Sequence, residues 1–324
     1  MTLIKDLTQW IAYYPMRQLI GFLPRNVLYF MSQTGGWISY HLRKNRRILV
    51  LKQLENLLGN QILTTSLPTI ARKGFKLAFL NVLLTFRYPK LNGNNIQDWI
   101  TLAGEDHLKH ALEAGKGAII VLVHFGANQM VMPALGYHNY KINQLGSRPE
   151  DWNRLSGIKP SFLQKKLFKA RLKLEKTLPA NFIYIDKSLK PVYRCLARNE
   201  IMIMAVDGRA GTKFISVPIF NMFMNLSAGP FRIAASTGTP IIPAFPVLQK
   251  KGRHLLFIEA PINPPSIDDR DVWIQELVSA YAKILEKRLV KYPDHYCMLM
   301  AEAERRAPID TVPLFTSSQQ DMVQ

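Results

Sequence analysis

Cysteine is almost absent, with only Cys195 and Cys297 in 324 residues, each in an apolar context. Neither has ligand-like spacing, so a disulfide scaffold is excluded and a reducing compartment is expected. Long apolar runs are missing as well. The stretch from Trp10 to Leu42 is rich in Trp, Tyr, Phe, Leu and Ile, yet Arg17, Pro24 and Arg25 interrupt it. No uninterrupted segment reaches the roughly 18–20 apolar residues that a spanning helix needs. The opening Met-Thr-Leu-Ile-Lys-Asp lacks the basic lead, apolar core and small-residue cleavage site of a secretory signal, and none is expected. Gly-x-x-x-x-Gly-Lys-Ser/Thr, Gly-x-Gly-x-x-Gly and Gly-x-Ser-x-Gly are all missing, as is any metal-spaced Cys/His cluster. Those gaps argue against nucleotide-binding loops, dinucleotide folds, α/β-hydrolases and metal sites. No internal repeat or low-complexity tract is present.

Acid is scarce too: 23 Asp and Glu stand against 42 Lys and Arg, a formal net charge of +19. Such an excess favours an anionic partner, whether nucleic acid, an acidic membrane surface, or a phosphorylated carrier or substrate. The distribution narrows the choice. Residues 1–60 carry Lys5, Arg17, Arg25, Arg43, Lys44, Arg46, Arg47 and Lys52 against Asp6 and Glu55, interleaved with aromatics. That mixture suits a segment lying in a membrane interface, with a core helix pair bearing a solvated basic face as the plainer reading. Basic residues gathered with aromatics, outside any recognisable reader module, argue against nucleic acid.

The strongest single pattern runs from Gly115 to Met130. An apolar, β-branched run, Ala118–Val123, ends in His124 and then Phe-Gly-Ala-Asn. A run apolar on both faces predicts a buried parallel strand, with His124 at its carboxyl end, where open α/β sheets hold their chemistry. Upstream, Arg43–Leu58 and Leu67–Thr85 read as helices. Ile48, Leu51, Leu54 and Leu57 mark a stripe on the first; Phe75, Phe79 and Val82 mark one on the second. Downstream, strands are predicted near 99–102, 140–145, 182–185, 201–206, 241–247 and 255–259. They alternate with helices over 105–114, 161–177, 191–198, 230–236 and 271–291. The 161–177 helix is strongly basic and would suit docking of an acidic carrier. The strand ending at Val206 stops at Asp207-Gly208-Arg209, a polar rim in which Arg209 is a candidate phosphate contact.

These pieces together resemble the bacterial lipid A biosynthesis (lauroyl/myristoyl) acyltransferases, a branch of the lysophospholipid acyltransferase superfamily. The resemblance spans roughly residues 24 to 300. It is carried by Arg47-Ile48-Leu49, Gln53-Leu54-Glu55-Asn56-Leu57, Ala103-Gly104-Glu105-Asp106-His107-Leu108 and Gly117–Gly126 with its His-Phe-Gly. Downstream come Asp207-Gly208-Arg209, Val217-Pro218-Ile219-Phe220, Thr237-Gly238-Thr239-Pro240-Ile241-Ile242-Pro243 and Tyr292-Pro293-Asp294. It implies a mixed, largely parallel α/β sheet flanked by helices, like that of glycerolipid acyltransferases. The expected division is an N-terminal helical, membrane-associating region over 1–95, an acyltransferase core over 96–307 and a disordered tail over 308–324.

The resemblance also implies a reaction: a fatty acyl group moves from acyl carrier protein or coenzyme A to a hydroxyl of a lipid acceptor. The acceptor is a lipid A precursor or another glycolipid or phospholipid. No resident cofactor or metal is expected, and the acyl thioester is a co-substrate. The expected location is the cytoplasmic face of an inner membrane. In the family a His and an acid five positions later form the catalytic pair; His124 matches, but the acid position holds Gln129. A glutamine carries no charge to offset an imidazolium and can select the wrong tautomer. The chain then recruits a carboxylate from elsewhere, with Glu150, Asp151 and Asp207 as candidates, or works on a more acidic acceptor, or is a lipid-binding relative. Asp207, Gly208 and Arg209, with Arg148 and Asn153, are the family-like substrate positions. The family's closing Trp-x-His-Arg-Arg is replaced by Cys297-Met298-Leu299-Met300 and Glu304-Arg305-Arg306.

Overall fold

The computed structural model describes residues 17–58, 66–146, 161–184, 188–262 and 269–317. Among the described residues four α-helices come first: α1 (Arg17–Phe22), α2 (Arg25–Leu42), α3 (Lys44–Leu58) and α4 (Leu67–Arg87). Strand and helix then alternate through β1 (Ile100–Ala103), α5 (Glu105–Glu113), β2 (Ala118–Leu122), α6 (Val131–Gly136) and β3 (Ile142–Gly146). The alternation continues with α7 (Phe162–Glu175), β4 (Asn181–Tyr184), α8 (Lys190–Ala197) and β5 (Ile201–Ala205). A hairpin of β6 (Phe214–Ile219) and β7 (Met222–Ser227) precedes α9 (Gly229–Thr237), β8 (Ile241–Leu248) and β9 (His254–Ile258). Then α10 (Arg270–Lys291), α11 (Cys297–Arg306) and β10 (Phe315–Thr316) close the described chain.

The fold is the expected mixed α/β sheet, in the order β1-β9-β8-β2-β5-β3-β4. Every neighbouring pair is parallel except β8 with β9. Strand β2 is central and wholly buried, and its alternation feeds two cores. Ile119, Val121 and Val123 join one with α3, α8 and α10; Ala118, Ile120 and Leu122 join the other with α5 and α6. Helix α4 belongs to both: Ile70, Ala71 and Phe75 pack in the first core, and Leu80, Leu83 and Leu84 in the second. It therefore crosses from one layer to the other past the carboxyl end of β2, where Asn81 reaches Gly126. Helix α2 lies close against it, since a Cβ on Gly36 would stand 2.4 Å from the Lys76 Cα.

Several expectations change. On α3 the buried positions are Val50, Gln53, Leu54, Leu57 and Leu58, while Ile48 is exposed. A strict spacing of three drifts around a 3.6-residue helix, so the apolar stripe starts at Val50 instead. Val82 of the predicted α4 stripe is likewise exposed. The β6–β7 hairpin escapes a sequence reading because Pro218 sits within β6 and Phe220, with φ +50°, forms the turn. Proline is tolerated there because β6 is the edge of the small sheet β10-β7-β6. The tail from 308 is not wholly unstructured: Leu314 is buried and β10 pairs with β7. Residues 318–324 lie outside the described residues.

Helix α2 turns Leu28, Ser32, Gly36 and Tyr40 inward. Its opposite face presents Val27, Phe30, Trp37 and Ile38 to solvent, and Leu19 and Phe22 of α1 are exposed too. No helix among the described residues is long and apolar enough to cross a membrane.

One buried group makes the fold acid-sensitive. His254 of β9 is 1% exposed, and neither ring nitrogen has a hydrogen-bond partner. Burial first, and the neighbouring His295 second, push its pKa down to about 3. The unfolded chain binds that proton near pH 6.5. Stability is therefore full above about pH 6.5 and falls towards pH 3, by roughly 1.4 kcal/mol per unit of separation. Denaturant midpoints between pH 7 and 4 should decline more steeply for the native protein than for His254→Leu; parallel curves would refute the assignment.

Candidate active site

Parallel pairing assembles the site. Strands β2 and β5 run in register with Leu122 opposite Ala205, and the Val206 amide donates to the Leu122 carbonyl at 2.9 Å. Two residues beyond each strand end, His124 and Asp207 are therefore brought together. His124 Nδ1 donates to Asp207 Oδ1 at 2.8 Å, and the His124 backbone amide donates to Oδ2 at 2.7 Å. A third donor, the Tyr296 hydroxyl, reaches Oδ2 at 3.0 Å. The Asp207 side chain is fully buried, while that of His124 is 49% exposed.

The electrostatics follow from this arrangement. Burial alone drives the Asp207 pKa up, but the His124 charge and three hydrogen bonds outweigh it and hold the carboxyl below its usual range. The Asp207 charge in turn raises the His124 pKa, with burial opposing it. Because Nδ1 donates to a carboxylate, the neutral ring carries its lone pair on Nε2. Tyr296 is buried beside Asp207, and burial and that charge push its pKa well above the usual tyrosine value.

The turn after His124 is held from several sides. Gly126 has φ +56°, and a Cβ there would stand 2.4 Å from the Pro246 carbonyl oxygen. Its amide donates to the His295 carbonyl at 2.8 Å, and its own carbonyl accepts from Asn81 Nδ2 of α4 at 2.7 Å. Phe125, wholly buried, stacks on the His295 ring at 5.1 Å. His295 Nε2 accepts from the Leu248 amide at 2.9 Å, so its imidazole is part of the scaffold.

Gln129 takes a different place from the one its spacing suggests. Its side chain lies in a short 3₁₀ turn, Asn128–Met130, and meets Tyr88 and Glu175. Asp207, named from the sequence both as an alternative acid and as a substrate contact, is the carboxylate bonded to the His124 ring. Arg209 donates from its two Nη groups to the carbonyls of Val312 (3.1 Å) and Asn225 (2.6 Å), and stacks over Phe214. The guanidinium thus ties the segment before β10 to β7. Gly208 lies between these two groups, partly exposed. Arg148, Asn153, Glu150 and Asp151 lie outside the described residues.

Sequence reasoning missed Tyr296 and Asn81. Tyr296 had a signal, since it stands two residues beyond the Tyr292-Pro293-Asp294 motif. Asn81 had one only in outline, as a lone amide in an otherwise apolar stretch of helix.

A half-exposed histidine at a strand end, oriented by a buried aspartate, has the geometry to take up a proton at Nε2. The chain belongs to the bacterial lipid A biosynthesis acyltransferase family, whose model matches residues 2–302. It is accordingly an acyltransferase of lipid biosynthesis, with a lipid acceptor and an acyl donor. Among relatives, the lipid A biosynthesis lauroyltransferase of Escherichia coli is 23% identical over 295 residues, covering 87% of this chain and 86% of that protein. The phosphatidylinositol mannoside acyltransferase of Mycolicibacterium smegmatis is 21% identical over 236 residues, covering 70% and 71%.

Proposed function

We propose that this acyltransferase moves a fatty acyl group from a carrier thioester, on acyl carrier protein or coenzyme A, to a hydroxyl of a glycolipid or phospholipid. His124 is the base. Its Nε2 takes the proton of the acceptor hydroxyl as the oxygen attacks the thioester carbonyl. The tetrahedral intermediate collapses with formation of the ester and loss of the C–S bond, and the imidazolium returns its proton to the departing sulfur. Asp207 stabilises the imidazolium and fixes the tautomer that makes Nε2 the acceptor. The observation that carries this reading is the 2.8 Å contact of Nδ1 with a carboxylate of lowered pKa.

The enzyme works on the cytoplasmic face of an inner membrane. Supporting this are the exposed apolar face of α1 and α2 and the exposed Arg43 and Lys44 beyond its end. Arg46 and Arg47 are less available: burial lowers the Arg46 pKa, and Arg47 lies over the Tyr40 ring and donates to its carbonyl. The exposed basic face of α7, with Lys165, Lys166, Lys169 and Lys173, suits an acidic carrier.

One experiment tests both parts. Purified protein is mixed with liposomes carrying a glycolipid acceptor and with acyl carrier protein or coenzyme A thioesters, and the lipids are read by mass spectrometry. An acceptor heavier by one acyl chain is expected, and silence with every donor and acceptor would overturn the reading. Anionic vesicles should bind the protein better than neutral ones. Neutralising Arg43 and Lys44 should weaken that binding roughly 30-fold, at about 1 kcal/mol per charge. Equal binding to neutral vesicles, unmoved by salt, would remove the electrostatic part.

A further inference from the structure

Both ends of the Gln129 amide are in use. Oε1 accepts from the Tyr88 hydroxyl at 2.9 Å, and Nε2 donates to Glu175 Oε1 at 3.2 Å. The same Glu175 oxygen accepts from Arg171 Nε at 2.8 Å. Tyr88 directly follows α4, Glu175 ends α7, and Gln129 stands five residues beyond His124. One side chain therefore joins three segments that converge on the site. An amide offers a donor and an acceptor at once, whereas a carboxylate of the same length offers acceptors only. A glutamate at this position would keep the tyrosine contact and turn an acid towards the Glu175 carboxylate, whose side chain is 15% exposed. Like charges at such range are strongly unfavourable away from bulk water.

We propose that Gln129 is a positioning residue: its amide latches α7 to the turn bearing His124, and through Glu175 it sets the Arg171 guanidinium beside the site. The departure from the family's acid is then a requirement of the packing here, because the acid of this corner comes from α7. Arg171 is near enough that its charge works against protonation of His124. The proposal rests on the acyl-transfer reading only for its kinetic readout.

The test is a charge swap. Gln129→Glu should lower kcat/KM at least tenfold. Glu175→Gln alone should stay within about threefold of native, since its amide oxygen can still accept from both Gln129 Nε2 and Arg171 Nε. The double variant Gln129→Glu/Glu175→Gln again sets a donor against an acceptor, the new amide nitrogen donating to the carboxylate introduced at position 129 while Arg171 turns to the amide oxygen or to that carboxylate, and should recover to within about threefold. Hydrogen exchange across Phe162–Glu175 supplies a readout independent of turnover: faster in Gln129→Glu and back to native in the double variant. A Gln129→Glu protein at least as active as native would overturn the proposal and return position 129 to service of His124. So would a double variant as impaired, or as fast-exchanging, as the single one. If no protein turns over donor, the acyl-transfer reading fails, while exchange still decides the latch.

Discussion

Asp207→Asn should leave a folded protein whose kcat is lower by about a thousandfold or more. The substitution keeps the size of the side chain, and its carbonyl oxygen still accepts from the Tyr296 hydroxyl or the His124 amide. On the proposed mechanism it removes the charge that stabilises the imidazolium as the acceptor hydroxyl loses its proton. It also places an NH₂ group where His124 Nδ1–H now donates. To avoid a donor facing a donor, the ring shifts its proton to Nε2, the atom that must be free to act as base. The same exchange in trypsin costs about ten thousandfold in kcat, so a loss of this order is the scale expected of a pair with this geometry. The pH profile gives an independent sign. The Asp207 charge raises the His124 pKa, so native kcat/KM should climb through an apparent pKa above 6.5 as the ring loses its proton. In Asp207→Asn the residual activity should climb at lower pH. A profile that stays put with activity intact would show that Asp207 is no partner of the base.

Removing the imidazole should be more damaging still, with transfer falling to the background of the uncatalysed mixture. His124→Ala is the obvious variant, but it withdraws one of three donors from a fully buried carboxylate. Its Asp207 pKa should rise, and stability should fall with it. His124→Asn separates the two effects. Its amide nitrogen stands close to where Nδ1 now lies and can donate to Asp207, yet the side chain has no basic nitrogen to receive a proton. Both proteins should be inactive, and His124→Asn should melt closer to the native protein than His124→Ala. A folded His124→Asn with more than a few per cent of native turnover would mean the acceptor proton leaves by another route.

Much of this was legible in the chain. The apolar run into His124 is a wholly buried strand, the run into Asp207 is buried up to Ala205, each has a polar residue just past its end, and parallel register then makes them neighbours. What spacing alone could not give is the direction of a side chain within a turn. Five positions from His124 specify Gln129 along the chain, but the 3₁₀ geometry of Asn128–Met130 sends its amide towards Tyr88 and Glu175. The carbonyl contacts of Arg209 were out of reach for a related reason. A guanidinium at a strand end is equally suited to a substrate's phosphate and to backbone carbonyls, and here the carbonyls at 225 and 312 come from segments remote in sequence. Those same contacts order the chain up to Ser317, which its polar composition does not suggest.

The path of α4 has a consequence for how such an enzyme can be divided. Its first half is core for one layer, its second half for the other, and Asn81 in the second half fastens the carbonyl of Gly126. The helices ahead of β1 are therefore no detachable anchor joined to a self-sufficient catalytic unit. Chimeras that exchange the first 95 residues for another anchoring sequence would strip the active-site turn of a fastener and open both cores. Recombination between relatives should succeed at junctions that leave α4 with its own sheet, which confines exchangeable apolar surface to the exposed faces of α1 and α2.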